Sequence, residues 1–541
     1  MSGPAASNES VPRRALFSVS RTEGLAALAS ELVRLGWELW ATEGTGRHLQ
    51  EAGVPVRPLS ELTGQVSMLG GRVKTLHPRV FGGVLARPSP QDLAELEQAG
   101  GVPFDLVVVN FYPFEERLER YRSGELTLAE LVESMDIGGP ALARAAAKNF
   151  ARVAVLTDPS QYAAVLDEIR HSPHGLPADA TRVRLAAEAV RRTARYDAVI
   201  ARALQQEAGP PAAAPQRVEV SFPERLALEA TRWLVARYGE NPHQAGAVYR
   251  VPVQGASVPW GQVLQGKELS YNNVADAAAA LDLVAELSDR PAAVAIKHAT
   301  PCGAAVADSL LQAYQLAHDA DPVSVFGGVV AVSRPVDGMV AEAMARTFLE
   351  VIVAPSFEPE ALEVLSKKPR LRLIEVGPIE PPWRRDGDGS SLEVRSIFGG
   401  LLVQQVDAVD WVDGELRTVT RQSVPERLWP DLRFAWRVVK HARSNAIVVA
   451  RDGQTLGIGA GQTSRIDAAR IAIEKAGEKA SGAVLASDGF FPFSDVVELA
   501  AEHGIAAIVQ PGGSMRDQES IAAADRAGLA MVFTGIRHFR H

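Results

Sequence analysis

A lysine and a histidine stand side by side at Lys297 and His298, at the end of an apolar run and shortly before Cys302. Histidine exchanges protons near neutral pH, and a partly desolvated lysine can act as an acid or hold an anion. Adjacent strand residues point to opposite faces, so both reach one ligand only if the strand ends or bulges between them. From the residues alone, a catalytic pair and a surface pair at a strand end both remain open.

Cys302 is the only cysteine among 541 residues. A zinc deaminase site needs a second cysteine near a Pro-Cys, so the ligand count excludes that site. A Cys-His nucleophile remains possible because such pairing is spatial. Since PCGAA is typical of a turn that leads into a buried run, where a free cysteine behaves as a small hydrophobe, we expect the thiol to be a bystander.

Two glycine-containing segments in the first third of the chain suit an anion. In 70-GGRVKTLHPRVFGG-83, Arg72, Lys74 and Thr75 offer two cations and a hydroxyl beside glycines that permit close backbone approach. In 134-SMDIGGPALARAAAKNF-150, Asp136 precedes Gly-Gly-Pro and a helix, and Lys148 lies near the far end of that helix. The first segment can instead be a solvated basic loop. The second segment is, by itself, weak evidence of an anion site.

Three further polar segments lie in the second part of the chain. The runs 237-RYGENPHQ-244 and 265-QGKELSYNN-273 are too polar for a core, so each is a loop or a binding site. The run 457-GIGAGQTSR-465 follows a strand and precedes a helical pattern. This run predicts either a nucleotide contact or a backbone turn that surrounds a substrate, with Arg465 near the start of the helix.

The elements that must position the first group of residues alternate between strands and helices. Apolar runs at 15–19, 37–41, 105–114 and 152–159 predict an α/β domain with a largely parallel sheet. Ligands of such sheets lie beyond the carboxyl ends of the strands. Ser20, the 42-TEGTG-46 loop and 110–112 all fall at such ends.

The chain is too long for one hydrophobic core. We predict a flexible tail over 1–14, a first domain over 15–207, an Ala/Pro/Gly linker over 208–217 and a second domain over 218–541. A faint repeat, 292-AAVAIKHATPCGAAVA-307 against 435-AWRVVKHARSNAIVVA-450, predicts two tandem subdomains over about 218–375 and 390–541, each with an apolar strand that ends in Lys-His.

The composition limits the partners. A net charge of -9 argues against a nucleic-acid surface but leaves room for a local basic pocket that holds a small anion. One cysteine fits a reducing cytosol, and neither a signal peptide nor a membrane span is predicted. We therefore expect a cytoplasmic enzyme or binding protein.

Many long motifs occur together and in one order. They are GGRVKTLHP, NFYPF, DIGGP with RAAAKN, RYGENPHQ, QGKELSYNN, KHATPCG, DPVSVFGG, KHARSNAI, GIGAGQTSR, ASDGFFPFSD, QPGGSMRDQE and FTGIRHFRH. From about Ala15 to His541 the chain resembles the bifunctional AICAR transformylase/IMP cyclohydrolases of purine biosynthesis. The resemblance implies an N-terminal, methylglyoxal-synthase-like, doubly wound α/β domain. It also implies a transformylase region of two cytidine-deaminase-like α/β subdomains without zinc, and a homodimer.

For the transformylase, the resemblance implies formyl transfer from 10-formyltetrahydrofolate to the 5-amino group of AICAR. His298 takes the proton of the amine, Lys297 assists departure of the folate N10, and Asn445 hydrogen-bonds the formyl oxygen. The positions that bind the substrates are Arg237, Tyr238, Gly327, Glu350, Arg465, Phe491, Arg537 and Phe539. Folate is a cosubstrate, and no metal is expected.

For the cyclohydrolase, the resemblance implies dehydrating ring closure of FAICAR to IMP, an intramolecular reaction in which positioning and proton handling suffice. Lys148 is the implied catalytic residue, with help from Lys74, Tyr112 and Asp136. The nucleotide is held by Ser20, Thr45, Arg72, Thr75, Asn110 and Ile137.

Two loops depart from the family pattern. The chain has 18-SVSRTEG-24 where the family usually has SVSDKTG, and 41-ATEGT-45 where it usually has STGGT or SGGT. A carboxylate at Glu43 repels a phosphate unless it points away or pairs with Arg21, and our hypothesis is that Arg21 and Glu43 are a compensating exchange that retains cyclohydrolase activity. One alternative is a transformylase whose first domain only binds nucleotide. The rival enzyme class is a zinc deaminase, which the expected fold of the second domain suggests although the cysteine count argues against its metal site.

Overall fold

The structure is a computed structural model that describes residues 12–65, 69, 72–207, 222, 226, 228, 230–253, 255–381 and 392–541. It divides into two compact units, Met1–Arg217 and Val218–His541. Most of the predicted tail and all of the predicted linker lie outside the described residues. Arg14, placed in the tail by the prediction, is the first residue of the first strand.

The first unit alternates strands and helices as predicted. Its strands are β1 Arg14–Ser18, β2 Glu38–Ala41, β3 Arg57–Pro58, β4 Leu106–Val109 and β5 Ala154–Leu156. Its helices are α1 Leu25–Arg34, α2 Glu43–Glu51, α3 Leu59–Thr63, α4 Pro78–Leu85, α5 Pro90–Gln98, α6 Phe114–Arg122, α7 Leu128–Glu133, α8 Gly138–Lys148, α9 Tyr162–His171 and α10 Asp179–Glu207.

The five strands form one parallel sheet in the order β3-β2-β1-β4-β5. The middle strands are almost continuously apolar, and LVVV of β4 is entirely buried, as expected for a sheet covered on both faces. The strand order reverses between β1 and β4. In such sheets the ligand crevice lies at that reversal, beyond the carboxyl ends of the two strands.

The second unit contains a larger sheet and two hairpins. Its strands are β6 Thr231–Ala236, β7 Gly246–Arg250, β8 Gln262–Gln265, β9 Ala292–Lys297, β10 Thr300–Val306, β11 Val329–Val332, β12 Val351–Ala354, β13 Arg372–Glu375, β14 Leu392–Ile397, β15 Gly400–Gln405, β16 Arg417–Thr418, β17 Ile447–Arg451, β18 Gln454–Gly459, β19 Val484–Ser487, β20 Ala507–Gln510 and β21 Ala530–Phe533. Its helices are α11 Tyr271–Glu286, α12 Leu310–Ala320, α13 Pro322–Val325, α14 Gly338–Ala345, α15 Pro359–Ser366, α16 Trp429–Lys440, α17 Arg465–Ala476, α18 Asp495–Glu502 and α19 Asp517–Ala527.

The large sheet has two halves with the same topology. Its order is β16-β21-β20-β19-β17-β18-β10-β9-β11-β12-β13-β8. Each half begins with an antiparallel hairpin, and the next strand pairs antiparallel with that hairpin. Two further strands continue parallel to this strand, and the edge strand is antiparallel to the last of them. The halves meet where β10 pairs with β18, and they repeat one strand order.

The alignment that suggested the duplication was wrong in register. Residues 435–440 are not a strand that ends in Lys-His but the last half of α16. Leu432, Ala435, Trp436 and Val439 are among its buried residues and follow helical spacing. The strand equivalent to β9 is β17, and α16 corresponds to α11, which precedes β9 in the first half.

Along the described part of the chain, no helix combines the length and the apolar character needed to cross a bilayer.

Candidate functional site

In the first unit, Asn110 joins the ends of β1 and β4 at the reversal of strand order. Its side-chain oxygen accepts hydrogen bonds from the backbone N–H groups of Ser20, at 2.6 Å, and Arg21, at 3.0 Å. Its side-chain N–H donates to the Arg21 carbonyl at 2.9 Å. Since Asn110 is buried, it fixes the loop that presents the Ser20 hydroxyl.

Thr45 fixes the same loop from the other side. Its buried hydroxyl accepts from the Val19 N–H at 3.1 Å and lies 3.2 Å from the Val19 carbonyl. Thr45 lies in the first turn of α2, where free backbone N–H groups favour an anion. Two residues predicted to hold a nucleotide therefore lie beside Ser20 at the expected sheet edge.

The hypothesis of an Arg21–Glu43 pair is not supported by the geometry. The Arg21 guanidinium forms an exposed ion pair with Glu116 of α6. Glu43 is the first residue of α2 and is exposed. A carboxylate there is stabilised by the helix dipole without a cationic partner.

Lys74, Tyr112 and Asp136 form a connected group. The Lys74 ammonium donates to the Tyr112 hydroxyl at 2.8 Å. Asp136 accepts from the Gly139 N–H at 2.8 Å and from the Tyr112 N–H at 3.4 Å. Burial raises the pKa of the Asp136 carboxyl, while the two N–H groups and the charge of Lys74 act against that rise. An ammonium, a phenol and a carboxyl group in one place suit proton transfer.

Three residues predicted to hold the nucleotide differ in their position and partners around the Lys74–Tyr112–Asp136 group. A side chain added at Gly138 would reach within 2.8 Å of the Thr75 hydroxyl, so Thr75 lies at the start of α8. Ile137 directly precedes that helix and is 63% exposed. Arg72 is exposed and pairs with Glu133, so a phosphate would have to compete with that carboxylate.

Lys148 is not brought to this group. It is the last residue of α8, which begins beside Asp136 at Gly138. At 1.5 Å per residue the helix separates its two ends by about 15 Å. Because α8 leads back to the start of β5, a strand parallel to β4, Lys148 lies toward the amino ends of the strands.

In the second unit, Lys297 ends β9 and His298 begins a two-residue turn into β10. The strand alternation therefore stops between the two residues. The Lys297 ammonium donates to the Phe326 carbonyl at 2.6 Å, and His298 is exposed. The imidazole is free to meet a ligand while the lysine is held beside the segment that contains Gly327.

Gly327 and Glu350 precede β11 and β12 and lie at the edge of the sheet where β9 ends with Lys297. A side chain added at Gly327 would approach the Lys297 ammonium to 3.8 Å and the Phe348 ring to 3.7 Å. The Glu350 carboxylate pairs with Arg372 at 2.7 Å, and Arg372 also donates to the Lys267 and Glu268 carbonyls of QGKELSYNN. A ligand hydroxyl would meet a carboxylate that is already oriented.

The RYGENPHQ segment is tied to α11. Asn272 donates to the Glu240 carbonyl at 3.3 Å. Arg237 directly follows β6 and is exposed, while Tyr238 is half-buried. One helical turn beyond Asn272, Asp276 accepts a hydrogen bond from Ala299 at 2.6 Å. The start of α11 therefore connects this loop with the Lys-His turn.

Cys302 lies in β10, not in the turn, at an irregularity between Pro301 and Gly303. Its thiol donates to the Ala295 carbonyl at 3.4 Å. Burial raises the pKa of the thiol to about 12, so it stays protonated at neutral pH. A protonated thiol is a poor nucleophile.

Asn445 and Arg465 form a second polar group. The Arg465 guanidinium donates to the Asn445 side-chain oxygen at 2.7 Å and to the Ser487 hydroxyl at 2.8 Å, and it pairs with Asp488. Arg465 and Asp488 are both buried. The Asn445 side-chain N–H groups are directed at the Gln462 and Thr463 carbonyls, so this amide is oriented from both sides.

A pocket of about 360 Å³ adjoins this group. It is lined by Asn445, Thr463, Ser464, Arg465, Ile466, Phe490, Pro492, Phe493, Asp495 and Phe539. The guanidinium of Arg537 lies 4.4 Å from the centre of the Phe539 ring. The wall is mostly apolar with a few fixed polar groups, as is usual for a small-molecule site.

Phe491, predicted as a binding residue, has its side chain completely buried in the core and does not line this pocket. Its neighbours Phe490 and Phe493, which the sequence analysis missed, are 39% and 50% exposed and line the pocket. The FFPF motif signalled an aromatic cluster but not which ring faces outward.

The Lys-His turn and the Asn445 group lie at the same edge of the sheet but on different strands. If the pairing of Ala305 with Gln454 is extended along both strands, Thr300 lies opposite Gly459. Two strands, β10 and β18, lie between β9 and β17. At about 4.8 Å per strand, Lys297 and Asn445 are roughly 14 Å apart.

Within the ranges that the structure describes, no group of three or more His, Cys, Asp or Glu residues is arranged to hold a metal ion.

Comparison with known proteins covers almost the whole chain. The model of the AICARFT/IMPCHase bienzyme family matches residues 146–475, and that of the MGS-like domain matches residues 24–141. Proteins named bifunctional purine biosynthesis protein PurH are similar over 98% of this chain and 100% of their own length. Those of Deinococcus deserti and Sorangium cellulosum are 50% identical to it, and that of Thermoanaerobacter sp. (strain X514) is 46% identical.

Proposed function

The chain belongs to the AICARFT/IMPCHase bienzyme family, and from that premise we propose how its residues perform the two reactions. It is a bifunctional enzyme of purine biosynthesis, an AICAR formyltransferase and an IMP cyclohydrolase. The MGS-like fold of the first unit and the α/β architecture of the second are those of the family. What remains to be assigned is the role of each residue.

Formyl transfer takes place at the Lys297-His298 turn. The AICAR amine attacks the formyl carbon of 10-formyltetrahydrofolate, and exposed His298 accepts the proton that the amine loses. Lys297 donates a proton to the departing folate N10, so that the bond to N10 breaks as the new C–N bond forms. Because Asn445 lies roughly 14 Å from Lys297 within one chain, a second copy of the chain supplies the Asn445 amide, whose side-chain N–H stabilises the charge that develops on the formyl oxygen. The observation that supports these roles is the end of β9 between the lysine and the histidine.

The nucleotide is held by charged and oriented groups near these residues. Arg237, Tyr238 and Arg465 contact AICAR, and Gly327 leaves space beside Lys297. Glu350, already aligned by Arg372, accepts hydrogen bonds from ribose hydroxyls.

The planar ring of the folate occupies the aromatic pocket beside Asn445. Phe490, Phe493 and Ile466 offer apolar contact, and the Asp495 carboxylate suits the N–H donors of an aminopyrimidine ring. Arg537 and Phe539 close the pocket from the C-terminal segment.

Cyclisation takes place at the Lys74–Tyr112–Asp136 group. These residues move protons while the carboxamide nitrogen attacks the formyl carbon and water leaves. Ser20, Thr45, Thr75 and Asn110 hold the nucleotide, Arg72 changes its partner from Glu133 to the phosphate, and Ile137 contacts the base.

Lys148 has no part in this proposal, although the resemblance assigned it a role, because about 15 Å of helix separates it from Asp136. Lys148→Ala should cyclise FAICAR at nearly the wild-type rate, whereas Lys74→Ala should lose most of the activity. A Lys148→Ala variant with slow cyclisation and a native fold would restore the family assignment.

The functional molecule is a cytoplasmic homodimer. Support for a second copy comes from the separation of the Lys-His turn and the Asn445 group within one chain, since a partner can complete each half. The single cysteine suits a reducing compartment. A native mass of twice 57.8 kDa in solution is expected, and a monomer that is active at assay concentration would contradict the dimer.

The decisive experiment compares both reactions in the full-length protein. Lys297→Ala and His298→Ala should each lower the kcat of formyl transfer by about 10²-fold or more, while cyclisation of FAICAR continues. Near-normal formyl transfer in both variants would overturn their roles. A wild-type chain that transfers the formyl group but does not cyclise FAICAR would support a first unit that only binds nucleotide.

A further inference from the structure

The large sheet contains two equivalent two-residue hairpin turns, one in each half. In the first, His298 and Ala299 connect β9 to β10, with φ of +53° and +54°. In the second, Asp452 and Gly453 connect β17 to β18, with φ of +54° and +70°. Both turns therefore have positive φ at both central residues, as in a type I′ turn.

The two turns differ in how well their residues suit this conformation. Asp-Gly is among the preferred sequences of a type I′ turn, because glycine adopts positive φ without a steric penalty. His298 and Ala299 both carry a Cβ, which disfavours the left-handed region. Strain of this kind persists only where the surroundings impose it, and it concentrates at functional sites.

Each turn is held by a carboxylate from the helix that precedes its hairpin. Asp431 of α16 accepts the N–H groups of Asp452 and Gly453 at 2.9 and 2.8 Å. Asp276 of α11 accepts the N–H of Ala299 at 2.6 Å. The same contact thus supports a favourable turn in one half and an unfavourable one in the other.

We propose that Asp276 is a positioning residue for formyl transfer, whose carboxylate holds the His298-Ala299 turn in its left-handed conformation and so aims the imidazole at the substrate amine. The inference rests on the proposed role of His298 as the proton acceptor. Asp276 does not itself touch the reacting atoms.

The surroundings of Asp276 fit this role. Burial raises the pKa of its carboxyl, while the backbone N–H groups of Ala299 and His298 and the positive charges near it favour the ionised form. Asn272, one turn earlier on α11, holds the RYGENPHQ loop through the Glu240 carbonyl. One helix end therefore orients the base and a loop proposed to bind the nucleotide.

The test uses the full-length enzyme and both activities. Asp276→Ala should lower the kcat of formyl transfer by about 10- to 100-fold, because a small misplacement of a catalytic group is enough for such a loss. The KM for AICAR should change by less than about threefold, since the residue acts on the chemical step. Cyclisation of FAICAR should be unchanged.

Asp431→Ala is the matched control. It removes the same contact from the Asp-Gly turn, so it reports the structural cost of losing such a clamp. Formyl transfer in this variant should stay within about twofold of the wild-type rate. An equal loss of kcat in Asp431→Ala and Asp276→Ala would overturn the proposal, because the effect would then be a general loss of stability.

Two further variants separate positioning from stability. Asp276→Asn retains an oxygen that accepts the Ala299 N–H, so its kcat should stay within about fivefold of wild type. Ala299→Gly removes the steric penalty at positive φ, so the double variant Asp276→Ala/Ala299→Gly should recover at least about threefold of the lost kcat. A folded but inactive Asp276→Asn, or no recovery in the double variant, contradicts the proposal.

His298→Ala separates this inference from the proposed function. Full formyl transfer in Asp276→Ala with an inactive His298→Ala refutes the positioning role and leaves His298 as the base. Full activity in His298→Ala refutes the role of His298 itself. If Asp276→Ala does not fold, Asp276→Ser, whose hydroxyl is too short to reach Ala299, carries the same expectations.

Discussion

At the scale of single residues, the environment decides the chemistry of each titratable group. Cys302 and His298 are only four positions apart, yet the thiol is held in β10 against a carbonyl while the imidazole is exposed in a turn. Burial therefore keeps the thiol protonated and unreactive, whereas exposure leaves the imidazole available to a ligand.

Cys302→Ala should retain formyl transfer within about twofold of wild type, because a thiol with a pKa of about 12 is protonated at assay pH and takes no part in the chemistry. In the folded wild-type protein the thiol should react slowly with iodoacetamide at pH 8, as measured by mass spectrometry. The urea-unfolded protein is the control and should react quickly. Rapid alkylation of the native thiol with loss of activity would contradict this prediction.

Cyclisation should depend on pH through Asp136. Since burial raises the pKa of its carboxyl, protonation should slow the reaction at a higher pH than for an exposed aspartate. Asp136→Asn should cyclise FAICAR at least about 10²-fold more slowly and should lack this acid limb. The pH–rate profile of each protein with saturating FAICAR tests both points.

The same shift has a consequence for stability. A carboxyl whose pKa is raised on folding stabilises the native state below its unfolded pKa, and this contribution is lost as the pH rises through the folded pKa. Asp136→Asn should therefore be at least as stable as wild type at pH 7 in thermal melts. A clearly lower melting temperature would indicate that the ionised carboxylate stabilises the fold.

At the scale of elements, the duplicated half-sheets repeat a close contact between a strand and a helix. A side chain added at Gly303 in β10 would lie 2.0 Å from the Ala317 carbonyl of α12. One added at the equivalent Gly457 in β18 would lie 1.9 Å from the Ala472 carbonyl of α17. Both strands need glycine so that the helix can pack directly on the backbone.

Gly303→Ala and Gly457→Ala should each lower the free energy of unfolding by about 1–3 kcal/mol or more, since the helix must move away from the strand. Urea denaturation measures this change. Gly414→Ala is the control, because an added Cβ there meets no atom within 4 Å. Equal stability of all three variants would show that the helices adjust without cost.

At the scale of the whole molecule, the two activities are assigned to different units. Asp136 belongs to the unit Met1–Arg217, and Lys297 belongs to Val218–His541. The residues proposed for cyclisation all belong to the first unit, and those proposed for formyl transfer all belong to the second. A substitution in one centre should therefore leave the chemistry of the other intact.

Asp136→Asn should accumulate FAICAR from AICAR and 10-formyltetrahydrofolate, and Lys297→Ala should convert added FAICAR to IMP. A mixture of the two full-length variants should form IMP from AICAR, because FAICAR can diffuse between molecules. Chromatography of the nucleotides follows each step. A mixture that makes FAICAR but no IMP would contradict the assignment of the two activities to separate units.

Local features of the sequence determined the order of strands and helices in the first unit and the family of the protein. Apolar runs and turn residues predicted the alternating elements and the parallel sheet of the first unit, because periodicity and strand ends are local properties. The count of one cysteine excluded a zinc deaminase site, because that site needs a second cysteine as a ligand. The long motifs identified the family, which the comparisons confirmed.

Only the tertiary structure showed which residues far apart in the chain contact each other and which side chains are buried. The spacing in FFPF could not show that Phe491 faces the core while Phe490 and Phe493 face the pocket. Nor could the sequence show that Arg21 pairs with Glu116, or that 435–440 belong to a helix that corresponds to α11. The physical reason is that burial, partner choice and the clamp on the His298 turn depend on which elements become neighbours, and chain spacing does not contain that information.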